Sequence, residues 1–300
     1  MSVIRSVLSI MLYTINTLIW FVPIFVCGLL KLIPIKPMQK LLSWVAKQCA
    51  TIWVSVNSIN QRLFTPTKIN VTGLEETKLK DWYLVIANHQ SWVDILVLQR
   101  VFNRKIPFLN FFLKKELIYV PVIGLCWWAL DFPFMKRYTK AELEKTPSLK
   151  GKDLETTRKA CEKFAYFPTS VMNFFEGTRF DAQKHAKQGS PYKHLLKPKA
   201  GGAAFTLNAM SGHLRNLLDV TIIYPPGTPR SLMAFLGGAM DEVEIVVQQR
   251  VIPAWASEGN YEDDAEFRAR FQQWIGELWA DKDALLDKKN ATRNTQHGTR

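Results

Sequence analysis

The chain has 300 residues, long for one small domain and short for several, and its 48% hydrophobic and 22% charged content excludes a disordered polymer and allows a substantial core. Lys and Arg outnumber Asp and Glu by 39 to 26, for a net charge of +13. The excess is uneven. Arg5, Lys31, Lys36, Lys40, Lys47, Arg62 and Lys68 all precede Glu75, the first acidic residue. A hydrophobic start with only positive flanks points to an anionic membrane surface before it points to nucleic acid.

Residues 6–30 contain no charge. As a helix these 25 residues reach about 37 Å, enough for a hydrocarbon core of about 30 Å. Asn16, Thr14, Thr17 and a possible kink at Pro23 make it an imperfect span. The apolar region is too long for a cleaved leader, and no small-residue cleavage site follows. After Pro34 and Pro37, Leu41, Val45, Ile52, Val56, Ile59 and Leu63 recur at helical steps, with Ser43, Lys47 and Asn57 off the stripe. The two helices either cross the bilayer as a hairpin or lie in one leaflet. If the first one spans, the denser lysines after it place the remainder in the cytoplasm.

From residue 66 the texture changes. Strands are expected at 68–73, 82–87, 106–109, 132–135, 170–175, 218–224 and 243–251, the last closing the sheet, with helices at 93–102, 152–164 and 203–210. The apolar run 117–130 is broken by Pro121 and Gly124 and is too short to span. An acid-started helix follows at 262–286, with Phe267, Phe271, Trp274, Ile275 and Leu278 on one side. This alternation predicts an α/β fold with a mixed, mainly parallel sheet flanked by helices, preceded by a membrane-embedded two-helix element. The expected division is 1–65 for that element, 66–288 for the α/β domain and 289–300 for a disordered tail. Cys27, Cys49, Cys126 and Cys161 are scattered without metal-ligand spacing, which fits buried thiols in a reducing compartment better than disulfides or a zinc site.

Two motifs carry chemistry. In Asn88-His89-Gln90-Ser91-Trp92-Val93-Asp94 an apolar strand turns into a helix, the usual place for reactive groups in an α/β fold. A histidine held by a carboxylate has a fixed tautomer and serves as a general base. Five residues span about 140° of helix, so His89 and Asp94 meet only if His89 lies in the turn and Asp94 in the first helical turn. Spacing alone leaves equally open a capping histidine beside an unrelated Asp. Ser91 is a weaker candidate nucleophile.

In Glu176-Gly177-Thr178-Arg179 a second strand runs into a glycine turn, followed by a hydroxyl and a guanidinium suited to a phosphate. The run from Arg179 to Lys199 carries a net +5. A solvated basic loop is the plain alternative to an anion site. Lys197 precedes the Gly201-Gly202 pair at a probable helix start, another place for phosphate. Lys136 and Arg137 emerge from an apolar strand and face either a cleft or solvent.

With these residues in view, the chain resembles the glycerophospholipid acyltransferase family, which includes the lysophosphatidate (1-acylglycerol-3-phosphate) acyltransferases. The resemblance covers roughly residues 68–250. It rests on Asn88, His89 and Asp94, on Glu176 to Arg179 about 80 residues later, and on Lys136-Arg137 between them. The longer run through His194 and Lys199 is similar to a branch that includes the bacterial YihG-like proteins. Phe175 stands where the family commonly has Pro, Asp131 where it has Gly, and residues 219–224 replace its usual proline-containing block.

The resemblance implies transfer of a fatty acyl group from acyl-CoA or acyl carrier protein to the sn-2 hydroxyl of lysophosphatidate. It implies His89 as base, Asp94 as its orienting carboxylate, and Arg179 with Gly177, Thr178, Lys136, Arg137 and Lys197 holding the phosphate. Glu176 would orient Arg179. No metal or cofactor is implied beyond the acyl donor. The implied partners are a phospholipid membrane, most simply a bacterial inner membrane with the domain on its cytoplasmic side, the lysophospholipid and the donor. Another lysophospholipid acceptor or a phospholipid donor would suit the same pair. A membrane-tethered anion binder is the non-enzymatic alternative. No basic–aromatic module of the RNA-binding kind is present, so nucleic acid is not expected.

Overall fold

A computed structural model of the chain describes residues 2–135, 155, 158–159, 161, 164, 167–210 and 212–297. It opens with two 29-residue helices, α1 (Ser2–Leu30) and α2 (Lys36–Phe64). Their residues are placed inside out. In α1 the buried side chains include Ser6, Ser9 and Asn16, while Val7, Met11, Ile15, Leu18, Ile19 and Val22 are exposed. The helices meet through polar groups. Asn16 donates to Asn57 Oδ1 at 2.8 Å, Ser9 to Asn60 Oδ1 at 3.2 Å, and Gln61 to the Tyr13 hydroxyl at 2.8 Å.

Most of the apolar stripe read on α2 therefore faces away from the protein, with Val45 and Ile52 half-buried. Leu41, Val56, Ile59 and Leu63 are exposed, whereas Ala46, Cys49, Ala50 and the off-stripe Asn57 are buried. Polar residues inside and aliphatic ones outside suit a surrounding medium as apolar as leucine.

Both ends of α1 touch the domain. Ser6 donates to the Met233 carbonyl at 3.2 Å, and 22 residues later Gly28 packs so closely on Ala129 that a Cβ there would lie 2.7 Å from the Ala129 methyl. Those contacts are about 33 Å apart at 1.5 Å per residue, so α1 lies along the domain. Beyond Gly28, Lys31 pairs with Asp131 at 2.6 Å, so this lysine is not simply a membrane-facing flank. Asp131 has φ +62°, a left-handed conformation that explains the glycine expected there, and it is held by Lys31 and Ser43.

The α/β domain holds a six-stranded sheet in the order β1-β8-β7-β2-β6-β3. The strands are β1 (Lys68–Thr72), β2 (Tyr83–Ala87), β3 (Leu109–Phe111), β6 (Ser170–Phe174), β7 (Asn216–Ile223) and β8 (Glu242–Val251). Strands β4 (Leu113–Lys114) and β5 (Phe134–Met135) form a separate parallel pair. All pairings in the main sheet are parallel except β7 with β8, so the expected mixed, mainly parallel sheet is present.

Every residue of β2 is buried, as befits a central strand covered on both faces. Leu84 and Ile86 enter one core with α6 (Ala200–Ala209) and α8 (Ala265–His297), while Tyr83, Val85 and Ala87 enter the other with α3 (Val93–Phe102) and the short α7 (Leu232–Leu236). A third, smaller core lies under the hairpin and joins Ile24, Cys27 and Ala46 to Ala129, Leu130 and Phe132, the first two of these on α4 (Ile123–Ala129) and at its end.

Several expected boundaries move. The strand read at 106–109 forms at Leu109–Phe111, because Ile106 still bonds back to the Phe102 carbonyl and Pro107 has no N–H for a ladder. Strand β8 does not close the sheet; β1 lies outside it. The helix expected at 152–164 falls mostly outside the described residues. The disordered tail expected after Lys288 is corrected as far as His297, where α8 ends. Lys289 bonds Glu244 at 2.5 Å, and Arg293 bonds Glu242 and Glu244 of β8 at 3.1 and 2.9 Å, tying this last stretch to the sheet. The four cysteines are free.

Candidate active site

The first motif leaves the buried end of β2. Asn88 is fully buried and its side-chain amide pairs with both the N–H and the carbonyl of Ile222 on β7, at 2.8 and 2.9 Å, which extends the sheet beyond the last ladder pair. The chain then turns, and α3 starts at Val93. Ser91 does not point a nucleophile into a cavity. Its hydroxyl donates to the Arg230 carbonyl and accepts from Val93 N, which spends it on closing the turn.

Asp94 therefore falls in the first helical turn and meets His89, with Nδ1 and Oδ2 2.8 Å apart. Oδ2 also accepts the N–H groups of Gln90 and Ser91 at 2.6 and 2.9 Å. Oδ1 accepts the Tyr224 hydroxyl at 2.5 Å. Four donors around a fully buried carboxylate compensate for its lost hydration and fix its orientation. Burial, followed by the charge of Asp94, holds the Tyr224 phenol well above the usual range, so it stays a donor. The imidazole stacks on Phe174 at 4.0 Å between centroids. With Nδ1 committed, Nε2 is the ring nitrogen left for chemistry, and His89 borders a cavity of about 300 Å³.

The second motif meets the first through the backbone of His89. Glu176 Oε1 accepts His89 N at 2.9 Å, and Phe180 N donates to the His89 carbonyl at 2.7 Å. The other Glu176 oxygen accepts Leu196 N at 3.1 Å. The expectation that Glu176 orients Arg179 is thus corrected: its carboxyl is fully buried and spent on two backbone amides. Burial, partly offset by those amides and by Lys282, pushes its pKa up to about 7. Phe175, in the family's proline position, is also buried and stacks on Trp279 at 5.8 Å.

Gly177 has φ +66°, a turn that favours glycine, and a Cβ there would strike the Lys199 side chain at 2.9 Å. The same cavity is lined by Gly177, Thr178 and Arg179 together with Phe111, Phe112 and Thr206. Arg179 is exposed and lies over the Trp92 ring at 5.0 Å, with no carboxylate partner among the described residues. Lys184 donates to Thr178 Oγ1 and the Arg179 carbonyl at 3.0 and 3.2 Å.

Of the residues assigned to the phosphate, Gly177, Thr178 and Arg179 lie together beside His89. Lys197 does not join them: it is exposed on a separate groove near Tyr192 and Gln272. Lys199, two residues on, is the lysine that reaches Gly177. Lys136 and Arg137 lie outside the described residues. Sequence reasoning missed Tyr224 and Trp92. The signal for Tyr224 was faint, a polar tip closing the apolar strand 218–224. Trp92 sits within the first motif but looked like helix-start bulk.

The family model described as Acyltransferase matches residues 68–228. The human 1-acyl-sn-glycerol-3-phosphate acyltransferase gamma is 26% identical over 223 residues, 70% of this chain and 54% of that protein. The human delta enzyme is 27% identical over 219 residues, 70% of this chain and 53% of that protein. The chain thus spans about half the length of these relatives. Among solved structures, the 1-acyl-sn-glycerophosphate acyltransferase PlsC from Thermotoga maritima aligns with a TM-score of 0.47 at 16% identity, over 95% of this chain and 98% of that one.

Proposed function

Because the chain belongs to the acyltransferase family, whose model covers more than half of it, we propose that it moves a fatty acyl group from a thioester, acyl-CoA or acyl carrier protein, to the sn-2 hydroxyl of lysophosphatidate. The observation that carries this reading is His89, paired with Asp94, on the same cavity as Gly177, Thr178 and an Arg179 that has no carboxylate partner among the described residues.

His89 Nε2 takes the proton of the acceptor hydroxyl as its oxygen attacks the thioester carbonyl. Asp94 balances the imidazolium, and Tyr224 and the Gln90 and Ser91 amides hold Asp94 in place. The tetrahedral intermediate collapses, the C–S bond breaks, and the leaving thiolate recovers the proton from His89. An ester and a free thiol result, with no net change in protons. A base of this kind contributes about 10²- to 10⁴-fold, with positioning supplying much of the remainder. Arg179 provides a planar donor fork for the acceptor phosphate, with Lys184 and Lys199 adding charge at the rim.

The membrane completes the reading. One helix, Val3–Leu30, is long and apolar enough to cross. Its contacts with the domain at both ends favour the single-leaflet arrangement, in which the exposed apolar faces of α1 and α2 enter the lipid and the cavity takes a lysolipid from the side. The anionic lipids of the cytoplasmic leaflet suit the basic residues of the hairpin, and this reading puts the domain at that face.

The test is an assay of the purified full-length protein on lysophosphatidate, lysophosphatidylcholine and lysophosphatidylethanolamine, with acyl-CoA, acyl carrier protein or phospholipid as donor. Transfer to lysophosphatidate from a thioester is expected, with Arg179→Gln raising its KM about tenfold. Activity with a phospholipid donor alone would reject the proposal, and vesicle binding without any transfer would favour the anion-binding alternative.

A further inference from the structure

A cavity apart from the one at His89 borders the hairpin. It has a volume of about 410 Å³ and lies between α2, the end of α3 and the loops that enter β3 and β6. Strands β2, β3 and β6 run parallel. His89 follows the end of β2, whereas Pro107 and Pro168 in this cavity precede the starts of β3 and β6. The two cavities therefore lie towards opposite ends of these strands, Leu109 of β3 lining one and Phe111 the other.

The floor is apolar, with Phe102, Phe108 and Phe167 among its side chains, and the rim carries Lys47, Lys80 and Arg104. Among the described residues none of these three cations has a carboxylate within ion-pair distance. Lys47 is half-buried and lies over the rings of Phe164 and Phe167 at 5.8 and 5.4 Å. Arg104 is held at φ +60° and donates to Ser55 at 3.3 Å. Three cations without an ion-pair partner among the described residues, set around an apolar floor, suit a ligand that is anionic at one end and apolar at the other.

The position of the mouth narrows the choice. It is bordered by Trp44, which with Leu41 belongs to the exposed apolar face of α2, 52% and 60% exposed. That face continues through Ile35, Ile33 and Leu32 at the hairpin turn. A tryptophan between an aliphatic face and a basic rim is the arrangement of a membrane interface.

We propose that this cavity is a second lipid site, remote from acyl transfer, that takes an anionic phospholipid with its phosphate at Lys47, Lys80 and Arg104 and the start of an acyl chain on Phe108 and Phe167. The proposal rests on the membrane placement of the hairpin. Its consequence is that the protein is held preferentially where the leaflet is anionic, in the orientation that presents the His89 cavity to the same leaflet.

The experiment uses the full-length protein on vesicles containing phosphatidylglycerol or phosphatidylcholine with a photoactivatable acyl chain, followed by peptide mapping. Phosphatidylglycerol should label the segments around Trp44 and Phe108 at least about fivefold more than phosphatidylcholine. Lys80→Gln and Arg104→Gln, both at exposed positions, should each cut that labelling about fivefold, near 1 kcal/mol per cation. His89→Ala should leave it intact. Equal labelling by the two lipids, or labelling indifferent to both charge variants, overturns the proposal. So does displacement of phosphatidylglycerol by polyglutamate in detergent, which would point to an acidic polypeptide. If neither lipid labels α2 and the protein does not float with vesicles, the membrane placement itself is wrong and the site falls with it.

Discussion

The hairpin and the α/β domain bury opposite chemistries. In the domain, Val85, Leu218, Val220 and Ile222 are inside, and the buried polar groups Asn88, Asp94 and Glu176 each bind specific partners. In the hairpin, Ser9, Asn16, Asn57 and Asn60 are inside while leucine, isoleucine and valine cover the outside. Each region follows the same rule, that a surface should resemble its solvent. With the hairpin placed in lipid as proposed, the reversed patterns follow from the two solvents, water and lipid. The two motifs belong to the region with the apolar interior, and α1 lies along it.

The most damaging way to test that division is at the base. His89→Ala should lower acyl transfer about 10³-fold while leaving vesicle flotation unchanged, since no part of His89 belongs to the hairpin. Loss of both properties would mean that the two regions are not separable. The converse change is Leu18→Lys on the exposed face of α1. Placing a charge in the lipid should weaken vesicle binding about 100-fold, yet leave activity in detergent within about twofold. The same residue type at buried Val220 should abolish folding, read as loss of the unfolding transition.

A smaller effect tests how the domain holds its buried charge. Tyr224→Phe removes a donor from Asp94. It should lower kcat about tenfold with little change in KM. An unchanged kcat would make Tyr224 a packing residue only.

A separate effect, on stability and not on rate, concerns Glu176. Its carboxyl titrates near 7 in the fold and near 4.5 when exposed, so the folded state binds this proton more tightly. The resulting stabilisation is complete below 4.5 and is lost as pH rises to about 7. Glu176→Gln cannot titrate. Wild type should therefore lose stability relative to this variant across that window and run parallel to it above, as measured by denaturant unfolding.

Much of the site was legible because catalytic geometry was written locally. Five residues separate His89 from Asp94, and a turn followed by one helical turn brings them together. The glycine of the second motif marked its own left-handed turn. Long-range partners were not legible. Tyr224 reaches Asp94 from 130 positions away, and Glu176 reaches His89 N across 87. No spacing rule connects such pairs, which is also why Glu176 was assigned to its neighbour Arg179 and why Lys197 was chosen over Lys199. The helical tail was missed for the same reason: Lys289 and Arg293 look like solvated charge until β8 supplies Glu242 and Glu244.

Composition and periodicity alone determined that the chain joins an apolar helical start to a mainly parallel α/β domain, and its two motifs carried the resemblance to an acyltransferase family, because hydrophobic periods and short motif spacings are local properties of a chain. Tertiary structure alone decided which way the apolar stripe of α2 faces, that both ends of α1 rest on the domain, and which donors surround Asp94. Those features depend on contacts between residues far apart in sequence, and their free energy comes from what each surface meets when the chain closes on itself.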